Sequence, residues 1–373
     1  MIGVNNVSLS IDPGEIFVIM GLSGSGKSTV LRLINRLLEP SSGRIIIDGQ
    51  DITQIGSKKL REVRRKNFGM VFQSFALIPH RTVFQNVEFG LEIQGVEKKE
   101  RRARIMDVIE AVGLQGYGDL PVNQLSGGMQ QRVGLARALA VDPEILLMDE
   151  AFSALDPIIR NQLQDDLLEI QERLNKTIVF VSHDLDEALK IGNHIAILRD
   201  GELIQVGTPQ EILGKPADEY VSAFVQGADR SKVLKASEVM QTLRISAHPK
   251  DAPRVLLKKM ERSGFNGLIV IDNSRHLLGY VDLDTARQYR DQDNIDPSVY
   301  QPLETVAPDN VVRDLIQLAH EKRTPIIVLD ERQRVLGVID KSSILAALAQ
   351  GDEEDETGQA SLAEPVSAAD IGG

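Results

Sequence analysis

The apolar run Ile16–Met20 leads straight into "GLSGSGKST", Gly21 to Thr29, and a helical stretch follows from Val30 to Leu38. A buried strand, a glycine turn and a helix in that order carry the chain over the face of a sheet, so that the next strand lies parallel to the first. The turn also fits G-x-x-x-x-G-K-[ST] with Gly21, Gly26, Lys27 and Ser28. The chemistry explains the spacing. A loop of Gly21, Ser23, Gly24, Ser25 and Gly26 lets backbone N–H groups close around a triphosphate. Lys27 then reaches the β and γ oxygens, and the Ser28 hydroxyl, followed by Thr29, completes the shell of a Mg²⁺ ion. ATP and Mg²⁺ are therefore the expected ligands.

Residues 1 to about 227 continue the alternation. "NFGMVFQ", "EILLMDE", "TIVFVSH" and "HIAILRDGELIQVG" read as strands separated by helical stretches, which predicts an α/β domain with a mostly parallel sheet. Between Gln73 and Gln124 the strand signal disappears, and Lys98 to Val112 has helical periodicity, so this block reads as a helical insertion. The basic run Lys58 to Lys66 is short and interleaved with Leu60 and Val63; it reads as a solvated, salt-bridged helix face or strand edge. A net charge of −12 argues against nucleic acid as a partner. The absence of cysteine excludes disulfides, and no apolar run approaches the length of a membrane span, so a soluble chain is expected.

Three further strand ends carry chemistry. "ILLMDE" finishes an apolar strand on two acids, which is costly unless a metal or a partner uses them. Asp149 is placed to hold Mg²⁺ through water, and Glu150 to polarise an attacking water as general base. "VFVSHD" puts His183 where it could sense a γ-phosphate, although a lone histidine is as often structural. Gln73, closing "MVFQ", could reach Mg²⁺ and the water, or be a plain surface amide. A second glycine turn, "LSGGMQQR" from Leu125 to Arg132, raises a separate question, because the first loop already accounts for the phosphates. A second copy related by a twofold axis would offer its own nucleotide to Ser126, Gly127 and Gly128. Ser126 is also a good helix N-cap, and the two roles are compatible.

Taken together, "GLSGSGKST", Gln73, "LSGGMQQR", "ILLMDE", "SALD" at Ser153 to Asp156 and His183 resemble an ATP-binding-cassette ATPase in order and spacing. "RKNFGMVFQSFALIPH", "LLMDEAFSALDP" and "VSHDLDEALKIGNHIAIL" are similar to the ATP-binding subunits of glycine betaine/proline betaine importers. The resemblance implies a P-loop NTPase fold of the ABC type with a helical subdomain at about 74–125. It implies Glu150, His183 and Gln73 as catalytic residues; Ser28, Gln73 and Asp149 around Mg²⁺; Leu125, Ser126, Gly127, Gly128 and Gln130 as a signature acting in trans; and Asp156 in the D-loop. It further implies a homodimer closing on two MgATP, two integral-membrane permease subunits, indirectly a substrate-binding protein, and a peripheral place on the cytoplasmic face of the plasma (inner) membrane. Cassettes of this kind stack adenine on an aromatic residue upstream of the first loop, on a strand that is expected to be missing from the sequence as it runs from Met1. The alternatives are an importer ATPase for another solute and a soluble cassette ATPase outside transport.

Gly267 to Ala286 and Pro325 to Ile344 repeat the same order, apolar strand, polar turn, Leu-Gly, apolar strand and helix start, at an offset of 58 residues. The pair resembles tandem CBS domains, with 229–240 as linker, CBS 1 at 241–292 and CBS 2 at 293–350, after an ATP-binding domain at 1–228. Adenosine-binding CBS sequences end this motif on an Asp at the ribose; here Thr285 and Ser343 take that place, and Asp282 and Asp340 replace the hydroxyl residue, which disfavours such a site. Residues 351–373 carry seven acids and no cation and read as a disordered acidic tail. Beside Arg287, Arg290, Lys322, Arg323, Arg332 and Arg334, that tail suggests a contact screened away as ionic strength rises. A solubilising tail and a merely dimerising CBS pair are the plain alternative.

Overall fold

The computed structural model describes residues 3–226, 228–322 and 324–349. The chain divides into two compact units, Met1–Ala228 and Asp229–Gly373. Arg323 and the acidic segment 351–373 lie outside the described residues.

In the first unit, β1 (Ile16–Met20) enters the glycine loop and α1 (Lys27–Ile34) leaves it. A small hairpin, β2 (Ile46–Ile47) with β3 (Gln50–Asp51), and α2 (Ser57–Asn67) lead to β4 (Phe68–Phe72). The inserted block is α3 (Val83–Gln94) and α4 (Lys98–Ala111), followed by α5 (Gly127–Ala140). Then come β5 (Ile145–Asp149), α6 (Pro157–Leu174), β6 (Thr177–Ser182), α7 (Leu185–Ile191), β7 (His194–Arg199), β8 (Glu202–Gly207), α8 (Pro209–Gly214) and α9 (Glu219–Val225). Six of these eight strands form one sheet in the order β4-β5-β6-β1-β7-β8, parallel throughout except for β8. Its central strands are apolar on both faces, as a parallel sheet covered on both sides requires. Phe17, Leu31, Leu147, Val179 and Val181 centre the core between α1 and the sheet.

Two local readings change. The first helix stops at Ile34 rather than Leu38, because Arg36 turns into the left-handed region (φ 54) and Leu38 N–H closes back on Arg32 O. The basic run Lys58–Lys66 is a helix, but it is not salt-bridged: among the described residues its cations have no carboxylate within 4 Å, and Arg64 instead donates to Asn35 O and Arg36 O.

The second unit contains α10 (Ala236–Val239), α11 (Pro253–Ser263), β9 (Gly267–Ile271), β10 (Leu277–Asp282), α12 (Leu283–Gln288), β11 (Thr305–Val306), α13 (Val312–Glu321), β12 (Ile326–Leu329), β13 (Val335–Ile339) and a helical stretch 341–349. β9–β10 and β12–β13 are antiparallel hairpins at the same offset as the repeat. The stretch 229–240 is no free linker. Ala236 and Val239 are buried with Val312, Leu315, Ile326, Val328 and Ile339, so the segment belongs to the core of the second repeat. The first repeat has its own core around Leu256, Met260, Leu268 and Val270, and Ile269 joins Ile327, Leu329 and Val335 between the two. Asp282 and Asp340 are helix caps, accepting the N–H groups of Thr285 and Ser343 at 2.7 Å each, which gives the two substitutions a structural use. Three cations offered to the tail already have partners: Arg287 with Asp284, Lys322 with Glu304 and Arg334 with Asp330. Among the described residues no helix is long and apolar enough to cross a membrane.

The loop between β4 and α3 is fixed from below by Asn86, fully buried in α3. Its Oδ1 accepts Ile78 N–H at 2.8 Å, and its Nδ2 faces the carbonyls of Ile78, Arg81 and Thr82. Asn86→Ala orphans these backbone groups and should destabilise the first unit by about 2–4 kcal/mol in urea unfolding.

Candidate active site

The loop after β1 is shaped by two glycines that no other residue replaces. Gly21 (φ 149) would place a Cβ 2.2 Å from Leu198 O, and Gly26 (φ 98) one 2.6 Å from Gly3 O. Lys27 and Ser28 occupy the first turn of α1, and Thr29 follows them. Lys27 is buried, and its Nζ donates to Gly21 O (2.8 Å) and Leu22 O (2.9 Å), which holds the ammonium against the loop. Burial pushes its pKa below the usual lysine value, and the carboxylates of Glu150 and Asp149 oppose that push. Ser23 and Gly24 are exposed, while the Ser25 Oγ is buried without a hydrogen-bond partner. A cation and an orphaned hydroxyl at a helix N-terminus suit an anion.

Across the sheet, Ser28 Oγ donates to Asp149 Oδ1 at 2.8 Å, and Arg32 stands 3.7 Å from the other carboxylate oxygen. A hydroxyl and one carboxylate are the hard oxygen donors that Mg²⁺ takes beside phosphate, so the residues fit that ion. Among the described residues no group of three or more His, Cys, Asp and Glu could hold a metal without such a partner. Glu150 has a left-handed backbone (φ 45), uncommon for a non-glycine residue. Its N–H remains bonded to Val181 O at 3.1 Å, and the Ser153 hydroxyl donates to its carbonyl at 2.9 Å. Its Oε2 lies 3.4 Å from both the Gln73 amide nitrogen and His183 Nδ1, and Gln73 also donates to Ser153 Oγ at 3.0 Å. Lys27, Ser28, Asp149, Glu150, Gln73 and His183 thus meet at the carboxyl ends of β1, β4, β5 and β6, where open parallel sheets bind ligands.

The remaining residues have other contacts. Ser126 caps α5 by accepting Met129 N–H at 3.3 Å, and Gln130 donates to Leu125 O. A Cβ on Gly127 would meet Leu155 and Phe75, and one on Gly128 would meet Ile159, so this turn borders the loops after β4 and β5 and the start of α6. Asp156 caps α6 through Ile159 N–H.

A network that the sequence reading missed ties these loops together. Arg160 donates to Leu155 O and to Asp184 Oδ2. Asp184 caps α7, and Glu187 accepts from Ser182, directly before His183, and from Gln164. Glu187 stands four residues before the buried Ile191, which places it on the inner face of α7; that spacing was the available signal.

The sequence pattern of the ABC transporter family matches residues 4–153, and that of the CBS domain matches residues 299–350. The chain is 50% identical to the glycine betaine/carnitine transport ATP-binding protein GbuA of Listeria monocytogenes, over 93% of this chain and 88% of that protein. It is 46% identical to the glycine betaine/proline betaine transport system ATP-binding protein ProV of Escherichia coli, with 93% and 88% covered. It is 52% identical to the trimethylamine N-oxide transport system ATP-binding protein TmoW of Ruegeria pomeroyi, with 63% and 69% covered. Among solved structures, a bacterial ABC transporter cassette in dimeric form matches with a TM-score of 0.51 at 38% identity, covering 56% of this chain and 90% of that one. The same figures hold for its post-hydrolysis dimer bound to ADP and Pi.

Burial raises the Glu187 pKa above the ordinary 4.5, against the hydrogen bonds from Ser182 and Gln164. A carboxyl that holds its proton more tightly when folded adds stability fully below pH 4.5 and loses it as pH rises through the raised value. Glu187→Gln should therefore flatten the fall in urea midpoint between pH 4.5 and neutrality.

Proposed function

This chain belongs to the ATP-binding proteins of ABC transporters, and from that premise we propose that it powers the uptake of small methylated-amine solutes such as glycine betaine. The observation that carries the ATPase part is the meeting of Lys27, Ser28, Asp149, Glu150, Gln73 and His183 at four adjacent strand ends. The solute class follows from the relatives, whose names give glycine betaine, proline betaine, carnitine and trimethylamine N-oxide.

In this reading the loop Gly21, Ser23, Gly24, Ser25, Gly26 and Thr29 wraps the phosphates, and Lys27 leaves its loop carbonyls for the β and γ oxygens. Ser28 and Asp149 would hold Mg²⁺, which would supply neutralisation of phosphate charge. Glu150 takes the proton of the water that attacks the γ-phosphorus as the bond to the bridging β–γ oxygen breaks and ADP leaves. Gln73 and His183 orient that carboxylate from two sides. Leu125, Ser126, Gly127, Gly128 and Gln130 close the nucleotide of a second copy, with Asp156 beside them, because the first loop already accounts for the phosphates of their own chain. Two permease subunits receive the closing motion at the loop after β4, on the cytoplasmic face of the membrane, with a substrate-binding protein delivering solute on the far side. The second unit regulates the cycle; its CBS match supports that assignment.

Glu150→Gln removes the proton acceptor and keeps the binding groups. It should lower hydrolysis by about 10²-fold or more and give an ATP-dependent dimer in size-exclusion chromatography. A variant that stays monomeric with ATP, or hydrolyses at the wild-type rate, overturns the reading. The solute is tested by uptake of labelled glycine betaine in cells lacking this chain, which the wild-type protein should restore and Glu150→Gln should not.

A further inference from the structure

The loop that carries Gln73 holds two consecutive residues in a conformation that side chains disfavour. Phe75 (φ 60) and Ala76 (φ 48) are both left-handed, and neither is glycine, asparagine or aspartate. Such backbone persists only where its surroundings hold it. The holding group is Arg137 in the last turn of α5, which donates from Nη1 to Ala76 O at 2.6 Å and from Nη2 to Phe75 O at 3.1 Å.

Among the described residues no carboxylate pairs with Arg137, unlike its neighbours. Arg132, on the same helix, pairs with Asp166, and Arg160 pairs with Asp184. The Arg137 guanidinium is half-buried, and among the described residues it bonds to the two loop carbonyls. Its pKa is held below the usual arginine value by burial, with no carboxylate to oppose that effect. Withdrawing a charge from water without an anion is unfavourable, so packing alone does not explain an arginine here. Phe75 also lies along the same helix. Its carbonyl is 3.6 Å from the place of a Cβ on Gly134, and its ring tip 3.9 Å from that of a Cβ on Gly127, beside Ser126.

We infer that Arg137 is a positioning residue for Gln73: its planar fork clamps the strained loop to the helix that presents Ser126–Gly128 and so fixes the amide beside Glu150. The inference rests on the ATPase reading above and deepens it. The clamp needs a bidentate fork and not only a positive charge, which lysine does not supply.

The test is a mutant cycle in the full chain, reading kcat and KM for ATP and thermal unfolding. Gln73→Ala and Arg137→Gln should each lower kcat by about tenfold or more, because small misplacements of an orienting group are costly, with KM within about twofold. Combined, they should lower kcat no further than the worse single change, since both remove one contribution. Ala76→Gly tolerates the left-handed backbone without a clamp and should restore part of the kcat lost in Arg137→Gln, which a general loss of packing would not allow. If Arg137→Gln lacks a cooperative unfolding transition, Arg137→Lys, which keeps the charge and loses the fork, takes its place in the same cycle. Losses that multiply, or a loss confined to KM, overturn the inference and leave the ATPase reading standing. A chain that hydrolyses ATP and is indifferent to Gln73→Ala overturns the role of Gln73 and the inference with it.

Discussion

The parallel hydrogen-bond ladder joining β4, β5, β6 and β1 is the constraint on which the candidate site depends. Its register places Phe72 beside Asp149, Asp149 beside Val181, and Met20 beside Ser182. The residues that follow are Gln73, Glu150, His183 and Gly21, so four loops distant in sequence start from one line. A slip of one residue in any strand would turn its side chains to the opposite face and move its loop out of that line. The ladder is secured by burial on both faces, where Val18, Leu147 and Phe180 are fully covered.

Much of this was legible because its signals are local. The glycine loop, the acids ending "ILLMDE" and the strand before His183 each occupy fewer than a dozen residues, and the parallel topology follows from their alternation with helices. The contact between Ser28 and Asp149 spans 121 residues, yet it was foreseeable, because both ends carry their own motif. Arg137 and Asn86 were not foreseeable in the same way. Each bonds to backbone carbonyls, which any residue provides, so the partner leaves no trace in the sequence. The stretch 229–240 misled for a related reason: a one-turn helix with two small apolar contacts has too little periodicity to show its buried side.

Glu150 combines two demands that rarely coincide. Its amide stays in the ladder, and its φ of 45 turns the chain away within one residue, which separates it from Asp149 despite their adjacency. Two neighbouring carboxylates thereby face different partners, Asp149 toward Ser28 and Arg32, Glu150 toward Gln73 and His183. Backbone strain at this point gives the two acids different surroundings without any intervening residue.

The anchoring of Ala236 and Val239 in the core of the second repeat sets an order of events during synthesis. That segment leaves the ribosome before the whole first repeat, yet its partners Val312, Leu315 and Ile339 come after it. The first repeat is therefore nested inside the second along the polypeptide, and this raises the contact order of the module. A break between the repeats would not yield two self-sufficient halves, because one of them would be translated without the strand and helix that shelter its opening turn.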